Sequence, residues 1–558
     1  MKGVSHKKRF LTISLFFVVL LSVLVTRLFS LMIFDRSFLK GQGDARSVRV
    51  IDIPAFRGMI FDRSGAPVAV STPVESVWLN PKKFAPTDDE LKKLAKLLKM
   101  TPSSINKRLA NVEERGFIYL KRHINPNQAQ KIKALNITGV NFKQEFKRYY
   151  PDAERLAQLV GFTNIDDDGL EGLELAYQDW LHGEPGKRRV IKDRTGRIID
   201  ELEVIQEPQP GHSLQLTIDR RIQFFAYHEL EKTVKNFKAK SGSVVVLDAR
   251  EGDVLAVVNY PSFNPNARGR YDVAAYRNRA MTDMFEPGSV TKPFTVASAL
   301  QSGKFKPDTM INTNPGWMVV NGKTIRDIRN YGEIDVREVL QRSSNIGVSK
   351  MAMAVGADTL IPFYRKCGVA SITDSGYPGE SPGDIVDVRS AYPFVLATLS
   401  FGYSMSMTAI QLAKMYTIFA NEGKLAPISL VHGVEMHKPK QVLEPEVATT
   451  VLSMLERVVK PGGTGTRAAV PGYRVAGKTG TARIAGDHGY KERRYLSTFA
   501  GIAPVSNPKL VVVVVIHEPS KEAYYGGLVA APLFSKVMEA SLRLLDIEPD
   551  AATGVKTS

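Results

Sequence analysis

From Phe10 to Thr26 every residue is uncharged and most are aliphatic; Arg27 interrupts, and Leu28 to Phe34 resumes the run. A helix of about 17 residues rises about 25 Å, short of a ~30 Å hydrocarbon core, and the residues after Arg27 make up the difference. Arg27 must then lie near an interface, snorkel, or face a partner helix. Lys2, Lys7, Lys8 and Arg9 precede the run, which orients residues 1–9 to the cytoplasm and the rest outside. A cleaved signal peptide would have a shorter apolar core and an Ala-x-Ala-like site, and no such site follows.

Residues 35–50 are polar and basic and read as a juxtamembrane linker. A mixed region follows to about residue 212. Arg63-Ser-Gly65 reads as a turn between two short apolar strands, and Asp193-Arg-Thr-Gly196 as another turn. Asp88–Leu98 and Pro126–Leu135 have helical spacing, the second with Asn125 as N-cap and proline at the first helical position. Leu170-Glu-Gly-Leu-Glu174 leads into a helix through Trp180-Leu181. From Leu214 the pattern changes. Asp219 caps a helix whose apolar positions are Ile222, Phe225, Ala226, Leu230, Val234 and Phe237. Ser243–Leu247 and Val254–Val258 are strands around a turn at Glu251-Gly-Asp253. Leu510–Ile516 is a near-continuous valine run, the pattern of a strand buried on both faces. Together with Val475–Ile484 and Phe499–Ile502 it reads as adjacent antiparallel strands, and Met538–Leu545 as a closing helix. Residues 546–558 are polar and patternless, so disorder is expected there. The pattern predicts an α+β chain: tail 1–9, transmembrane helix 10–34, a mixed domain 35–212, a second domain 213–545, and the tail 546–558.

Composition narrows the function classes. At 558 residues the chain is long enough for more than one domain. The net charge of +18 raises nucleic acid as a ligand, but the basic residues are interleaved with acids and no aromatic-basic motif appears. Attraction to an anionic membrane surface is the better reading. Cys367 is the single cysteine, so no intramolecular disulfide forms. The nine histidines include no His-x-x-x-His pair; neither a metal nor another cofactor is expected.

The chemistry lies in three ordered motifs. Ser289-Val-Thr-Lys292 opens a helix after the turn Pro287-Gly288; Ser343-Ser-Asn345 and Lys478-Thr-Gly480 follow. A serine hydroxyl is a poor nucleophile until a neighbour takes its proton, and a lysine one helical turn away on the same face can reach it. The tetrad alone says little, since Ser5, Ser37, Ser104 and Ser506 also begin Ser-x-x-Lys. Ser506 has Pro508 inside its tetrad, and none of the four combines a preceding turn with a following apolar helical pattern. Ser262-Phe-Asn264 is a decoy for the second motif because it precedes the nucleophile. Ser-x-x-Lys, Ser-x-Asn and Lys-Thr-Gly in this order form the active-site set of penicillin-recognising acyl transferases.

The chain resembles the class B penicillin-binding proteins, and among them the division-specific septal D,D-transpeptidases. The class rests on Arg57-Gly-Met-Ile-Phe-Asp-Arg-Ser-Gly65 and Leu170-Glu-Gly-Leu-Glu174. The division subtype rests on residues 38–49, Gly186-Lys-Arg-Arg189 and Glu518-Pro-Ser-Lys521. The resemblance implies a non-catalytic, dimerisation-type pedestal over 35–212 and a serine transpeptidase domain over 213–545 with a central antiparallel sheet flanked by helices. It implies that Ser289 attacks the penultimate D-alanine carbonyl of a stem peptide ending in D-Ala-D-Ala. Lys292, neutralised by burial and nearby cations such as Lys478, would take the proton, and Ser343 would relay one to the leaving amine. Asn345 would hold the substrate amide. Lys478, Thr479 and Thr481 would bind the terminal carboxylate beside Gly480, with the Ser289 and Thr481 N–H groups as oxyanion hole. Tyr495, Tyr524 and Tyr525 match cleft-lining positions, though strand and loop packing would equally account for them. The implied partners are stem peptides, beta-lactam antibiotics, the inner membrane, and division proteins including the glycosyltransferase FtsW. The implied location is the inner membrane, with the catalytic domain periplasmic. The rivals are an elongation-type transpeptidase and a non-enzymatic division scaffold. A beta-lactamase would need a dedicated base for deacylation, which no motif supplies.

Overall fold

The structure, a computed structural model, describes residues 6–110, 115–193, 198–269, 271–390, 392–434, 438–484, 494–520 and 523–551. The chain forms two compact units. The first comprises Met1–Phe56, Pro73–Lys147 and Gly183–Gly211; the second comprises Arg57–Thr72, Arg148–His182 and His212–Ser558.

The apolar run of the first unit is one helix, His6–Ile33, of 28 residues with no buried position. At 1.5 Å per residue it is about 42 Å long, enough to cross a bilayer. Arg27 Nη1 lies 3.4 Å from Asp35 Oδ2 just beyond the helix end, as an interfacial arginine would. The expected linker is structured: Arg36–Ser47 is a second helix, and Val48–Ile53 a strand. No apolar face announces that helix, and all its residues are at the surface or half-buried. The strands Val48–Ile53, Gly186–Lys192 and Ile198–Gln206 form an antiparallel sheet. The expected turn at Asp193–Gly196 lies mostly outside the described residues, between two of these strands. The helices Asp88–Leu98 and Pro126–Lys133 form as expected, and Asn125 Oδ1 accepts from Gln128 N–H at 2.7 Å. Their apolar faces build a small core with Val77, Leu79, Leu120 and Ile124.

The second unit is organised around a five-stranded antiparallel sheet in the order 254–260, 241–248, 510–517, 495–503, 476–483. Leu510–His517 lies in the middle, and its valines divide between two cores. Val512 and Val514 meet the helices Arg220–Asn236 and Gly526–Leu544 on one face. Val511, Val513 and Val515 meet residues of the helix Ala409–Ala420 on the other. This is the two-sided burial that the valine run implies. Asp219 caps its helix, accepting from Arg221 N–H at 3.0 Å. The closing helix starts at Gly526, twelve residues before the expected Met538. Gly526, Gly527 and Pro532 disguise its first turns.

By compactness this unit also takes in 57–72 and 148–182, which precede residue 212 in the chain. Asp152 Oδ1 accepts from Arg220 Nε at 2.8 Å, Gln158 Nε2 donates to Ala275 O at 2.7 Å and Asn266 Nδ2 to Tyr150 O at 2.9 Å, which ties 148–182 to the later residues, and a buried ion cluster ties 57–72 to 148–182. Arg57 Nε lies 2.6 Å from Glu174 Oε2 and Arg148 Nε 2.7 Å from Oε1, all with side chains almost completely buried. Arg57 also donates to Glu174 O and Gln178 Oε1, both at 2.8 Å. The turn at 63–65 forms as expected: Asp62 Oδ1 accepts from Ser64 N–H at 2.9 Å and Ala66 N–H at 2.8 Å. The tail is only partly as expected. Asp550 accepts from Arg474 N–H at 2.6 Å and Ser506 N–H at 3.0 Å, and Tyr473 donates to Ile547 O at 2.6 Å. With Ala551 N–H donating to Gly472 O at 3.1 Å, these bonds hold the chain as far as residue 551; residues 552–558 lie outside the described set.

Candidate active site

Ser289 sits in a 3-10 turn, Gly288–Thr291, that runs into the helix Lys292–Gln301. Gly288 has φ 63°, a left-handed conformation that suits glycine. The strand Ala476–Arg483, at the edge of the sheet, packs directly on this turn. A Cβ on Gly480 would lie 3.0 Å from Val290 Cγ1 and 3.2 Å from Pro287 O, so the glycine of Lys-Thr-Gly permits the approach.

Ser343 ends the helix Val336–Arg342 in the left-handed region, with φ 61°. A non-glycine residue pays roughly 1–2 kcal/mol for this conformation. The turn aims both its carbonyl and its hydroxyl at Lys292. Lys292 Nζ donates to Ser343 O at 2.6 Å, Ser343 Oγ at 3.0 Å and Asn345 Oδ1 at 2.7 Å. Lys478 Nζ reaches the same Ser343 Oγ at 2.9 Å, and Thr479 O at 3.1 Å. Residues 292, 343 and 478 thus meet at one hydroxyl. Ser289 Oγ is half-buried and makes no hydrogen bond among the described residues, which leaves it available to a reactant.

Both amines are completely buried. Burial pulls Lys292 from 10.5 down to about 7, while the charge of Asp327 acts in the opposite direction. A nearby cation is expected from the sequence to share in this lowering, but burial is its cause. Lys478 is the amine that feels its neighbour: burial first, then the charge of Lys292, push it well down. Two amines sharing one hydroxyl cannot both stay charged without opposing each other. A proton held between them is therefore easily moved.

Thr479 is nearly buried, and its hydroxyl pairs with Thr464 at 2.8 Å. Thr481 Oγ1 accepts from Gly526 N–H at 2.9 Å, at the start of the closing helix. That bond leaves the Thr481 O–H free to donate. Tyr495, Tyr524 and Tyr525 form one stack: the first two rings lie 4.0 Å apart and the last two 4.6 Å. Tyr495 pairs with Arg483 across the strands, and Tyr525 directly precedes Gly526, so the stack borders the Lys478 strand. The decoy Ser262 donates to Glu154 O at 2.7 Å and serves structure. Cys367 is completely buried. Asp327, Thr464 and Gly526 escape a sequence reading because they belong to none of the three motifs. For Gly526 the Gly-Gly pair was the available signal, and it looks like a turn.

Comparison with known proteins agrees with this geometry. The family described as penicillin binding protein transpeptidase domain matches residues 242–539, and the penicillin-binding protein dimerisation domain matches 52–216. A probable peptidoglycan D,D-transpeptidase, PbpC, of Pseudomonas aeruginosa is 42% identical over 97% of this chain and 96% of its own. The peptidoglycan D,D-transpeptidase FtsI of Escherichia coli is 41% identical over 96% of this chain and 91% of its own. The solved transpeptidase domain of Burkholderia pseudomallei penicillin-binding protein 3 is 38% identical with TM-score 0.56, covering 60% of this chain and 97% of that one. A dimerisation region followed by a transpeptidase domain, with relatives this similar along nearly their whole length, means that the chain belongs to the class B penicillin-binding proteins.

Proposed function

We propose that the chain is a peptidoglycan D,D-transpeptidase of the division septum, working through an acyl-enzyme on Ser289. The observation that carries this reading is the meeting of Lys292 and Lys478 at Ser343 Oγ, at 3.0 and 2.9 Å, with Ser289 in the turn that runs into the Lys292 helix. Neutral Lys292 takes the Ser289 proton as Oγ attacks the carbonyl of the penultimate D-alanine. The tetrahedral oxyanion is held by the Ser289 and Thr481 N–H groups, where one such donor is worth about 10²–10³ in rate. A proton passes from Lys292 through Ser343 to the departing amine, the C–N bond breaks, and D-alanine leaves. An amine of a second stem peptide then attacks the ester, loses its proton by the same route, and regenerates Ser289 with a new amide cross-link. Lys478, Thr479 and Thr481 bind the terminal carboxylate, and Asn345 the substrate amide. A beta-lactam follows the first half, but its leaving group stays attached after ring opening. Tyr495, Tyr524 and Tyr525 form an aromatic wall for the bound peptide.

Labelling with fluorescent penicillin tests the nucleophile. Wild type should carry one adduct by intact mass, on the peptide containing Ser289, and Ser289→Ala none. An equal adduct in Ser289→Ala would remove the assignment.

The helix His6–Ile33 anchors the chain in the inner membrane. The basic residues before Phe10 favour a cytoplasmic N-terminus and a periplasmic catalytic unit. The septal role is favoured over elongation by the 41% identity to a protein named FtsI along most of both chains. The helix would pack against FtsW, with Arg27 at the interfacial end of the contact. Replacing the helix by an unrelated anchor should leave penicillin acylation intact and abolish septation. Full rescue of a depletion strain by the swapped protein would end the case for helix recognition.

A further inference from the structure

Asp327 lies between the strands Lys323–Arg326 and Glu333–Asp335, outside all three motifs. Its carboxylate accepts three hydrogen bonds: from the Ser344 hydroxyl at 2.6 Å, from Asn345 N–H at 2.5 Å and from Ile346 N–H at 3.1 Å. The two N–H groups are unpaired donors of the first turn of the helix Asn345–Val355, where an anion is favoured. Ser344 Oγ, held from below, itself accepts from Gly347 N–H at 2.9 Å. The residue before Asp327 completes the grip, because Arg326 O accepts from Asn345 Nδ2 at 2.9 Å. An amide that donates through Nδ2 to Arg326 must turn Oδ1 the other way. That oxygen is the acceptor that meets Lys292 Nζ at 2.7 Å. One Nδ2 proton remains for a substrate carbonyl.

We propose that Asp327 is a positioning residue of the transpeptidase site, holding Ser344 and Asn345 so that Lys292 and the substrate meet opposite edges of the Asn345 amide. The proposal rests on the transpeptidase reading given above. The charge of Asp327 has a second effect. Of the charged groups that act on this pair of amines, Asp327 is the anion that acts on Lys292, and Lys292 itself is the cation that acts on Lys478. Tyr364 and Tyr416, from two neighbouring helices, are phenols that burial keeps neutral; they bond Thr295 Oγ1 and Val290 O. The helices Val336–Arg342 and Pro445–Val459 contribute Val339, Leu340, Val451 and Leu455 to the same apolar core. Asp327 thus opposes the tendency of burial to strip Lys292 of its proton.

The test is the second-order acylation of the full chain by fluorescent penicillin from about pH 5.5 to about pH 9, in wild type, Asp327→Asn and Asp327→Ala. Asparagine keeps an acceptor for the Asn345 and Ile346 N–H groups but carries no charge. Without the anion, Lys292 loses its proton more readily, so the acid limb of the profile should move about half a unit or more to lower pH. Alanine loses the clamp as well, and its plateau rate should fall about tenfold or more. A purely structural role would lower the plateau and leave the limb in place. If Asp327→Ala does not fold, the limb of Asp327→Asn decides alone. An unmoved limb in Asp327→Asn, or a wild-type plateau in a folded Asp327→Ala, would overturn the proposal. Failure of wild type to be acylated would instead overturn the transpeptidase reading.

Discussion

If Lys292 is the base, the rate of acylation must follow its loss of a proton. Burial brings that amine from 10.5 to about 7. The difference corresponds to roughly 5 kcal/mol between its protonated and neutral forms. Below pH ~7 the acylation rate should therefore rise about tenfold per pH unit, and above it level off. In the charged form, all three N–H bonds of Lys292 are directed at Ser343 O, Ser343 Oγ and Asn345 Oδ1. Loss of one proton keeps two of these bonds, and the Ser343 hydroxyl, which can turn to donate, is the partner able to face the lone pair. Lys292→Arg keeps the charge but cannot deprotonate near neutrality, so acylation should drop by about 10²–10⁴. The same shift has a thermodynamic signature. Between pH ~7 and ~10.5 the unfolded chain binds one more proton at this site than the folded chain, so stability rises with pH across that window. Below pH ~7 both states are protonated, and the folded state bears the full penalty of the buried charge. The assay is stopped-flow penicillin acylation against pH, with melting temperatures taken on the same samples. A flat wild-type rate profile between about pH 5.5 and 9, or a Lys292→Arg rate within about tenfold of wild type, would refute the role.

Two further substitutions probe what holds the site in place. Glu174→Ala strands Arg57 and Arg148 as buried guanidiniums without their carboxylate, which should destabilise the second unit by roughly 3–5 kcal/mol in chemical denaturation; a loss below about 1 kcal/mol would contradict the cluster's importance. Gly526→Ala places a Cβ 2.2 Å from Gly480 O and 2.5 Å from Thr498 O, both backbone atoms that cannot turn aside. The helix must shift away from Thr481, so stability should fall by about 1–3 kcal/mol and acylation should slow. Unchanged acylation with an unchanged melting temperature would show that the helix start tolerates the displacement.

Elements whose signal is local were legible in the sequence. The two-sided valine strand, the helix capped by Asp219 and the ordered motifs around Ser289, Ser343 and Lys478 each declare themselves within a dozen residues. The features that sequence reasoning lost depend on distant partners. Arg57, Arg148 and Glu174 look like three separate charged positions, and only their burial around one carboxylate shows that 57–72 and 148–182 are held to each other. The helix Arg36–Ser47 has no apolar face to betray it. Asp550 resembles part of an unstructured tail until Arg474 and Ser506 donate their backbone N–H groups to it.

The site repeats this division. The residues proposed to handle protons lie in motifs, because Ser289 and Lys292 must share one helical turn and Ser343 and Asn345 must flank one helix start. The groups that aim them come from elsewhere in the chain: Asp327 under Asn345, Thr464 beside Thr479, and Gly526 N–H on Thr481. Asp327 and Gly526 each bond an atom that the motif residue does not need for chemistry. Asp327 takes the backbone N–H of Asn345 and leaves its amide; Gly526 takes a lone pair of Thr481 and leaves its proton. Such supports can come from any part of the chain that reaches the right atom, so no fixed spacing ties them to the motifs. Their loss should therefore appear first in rates and pH profiles, while the motif itself stays intact.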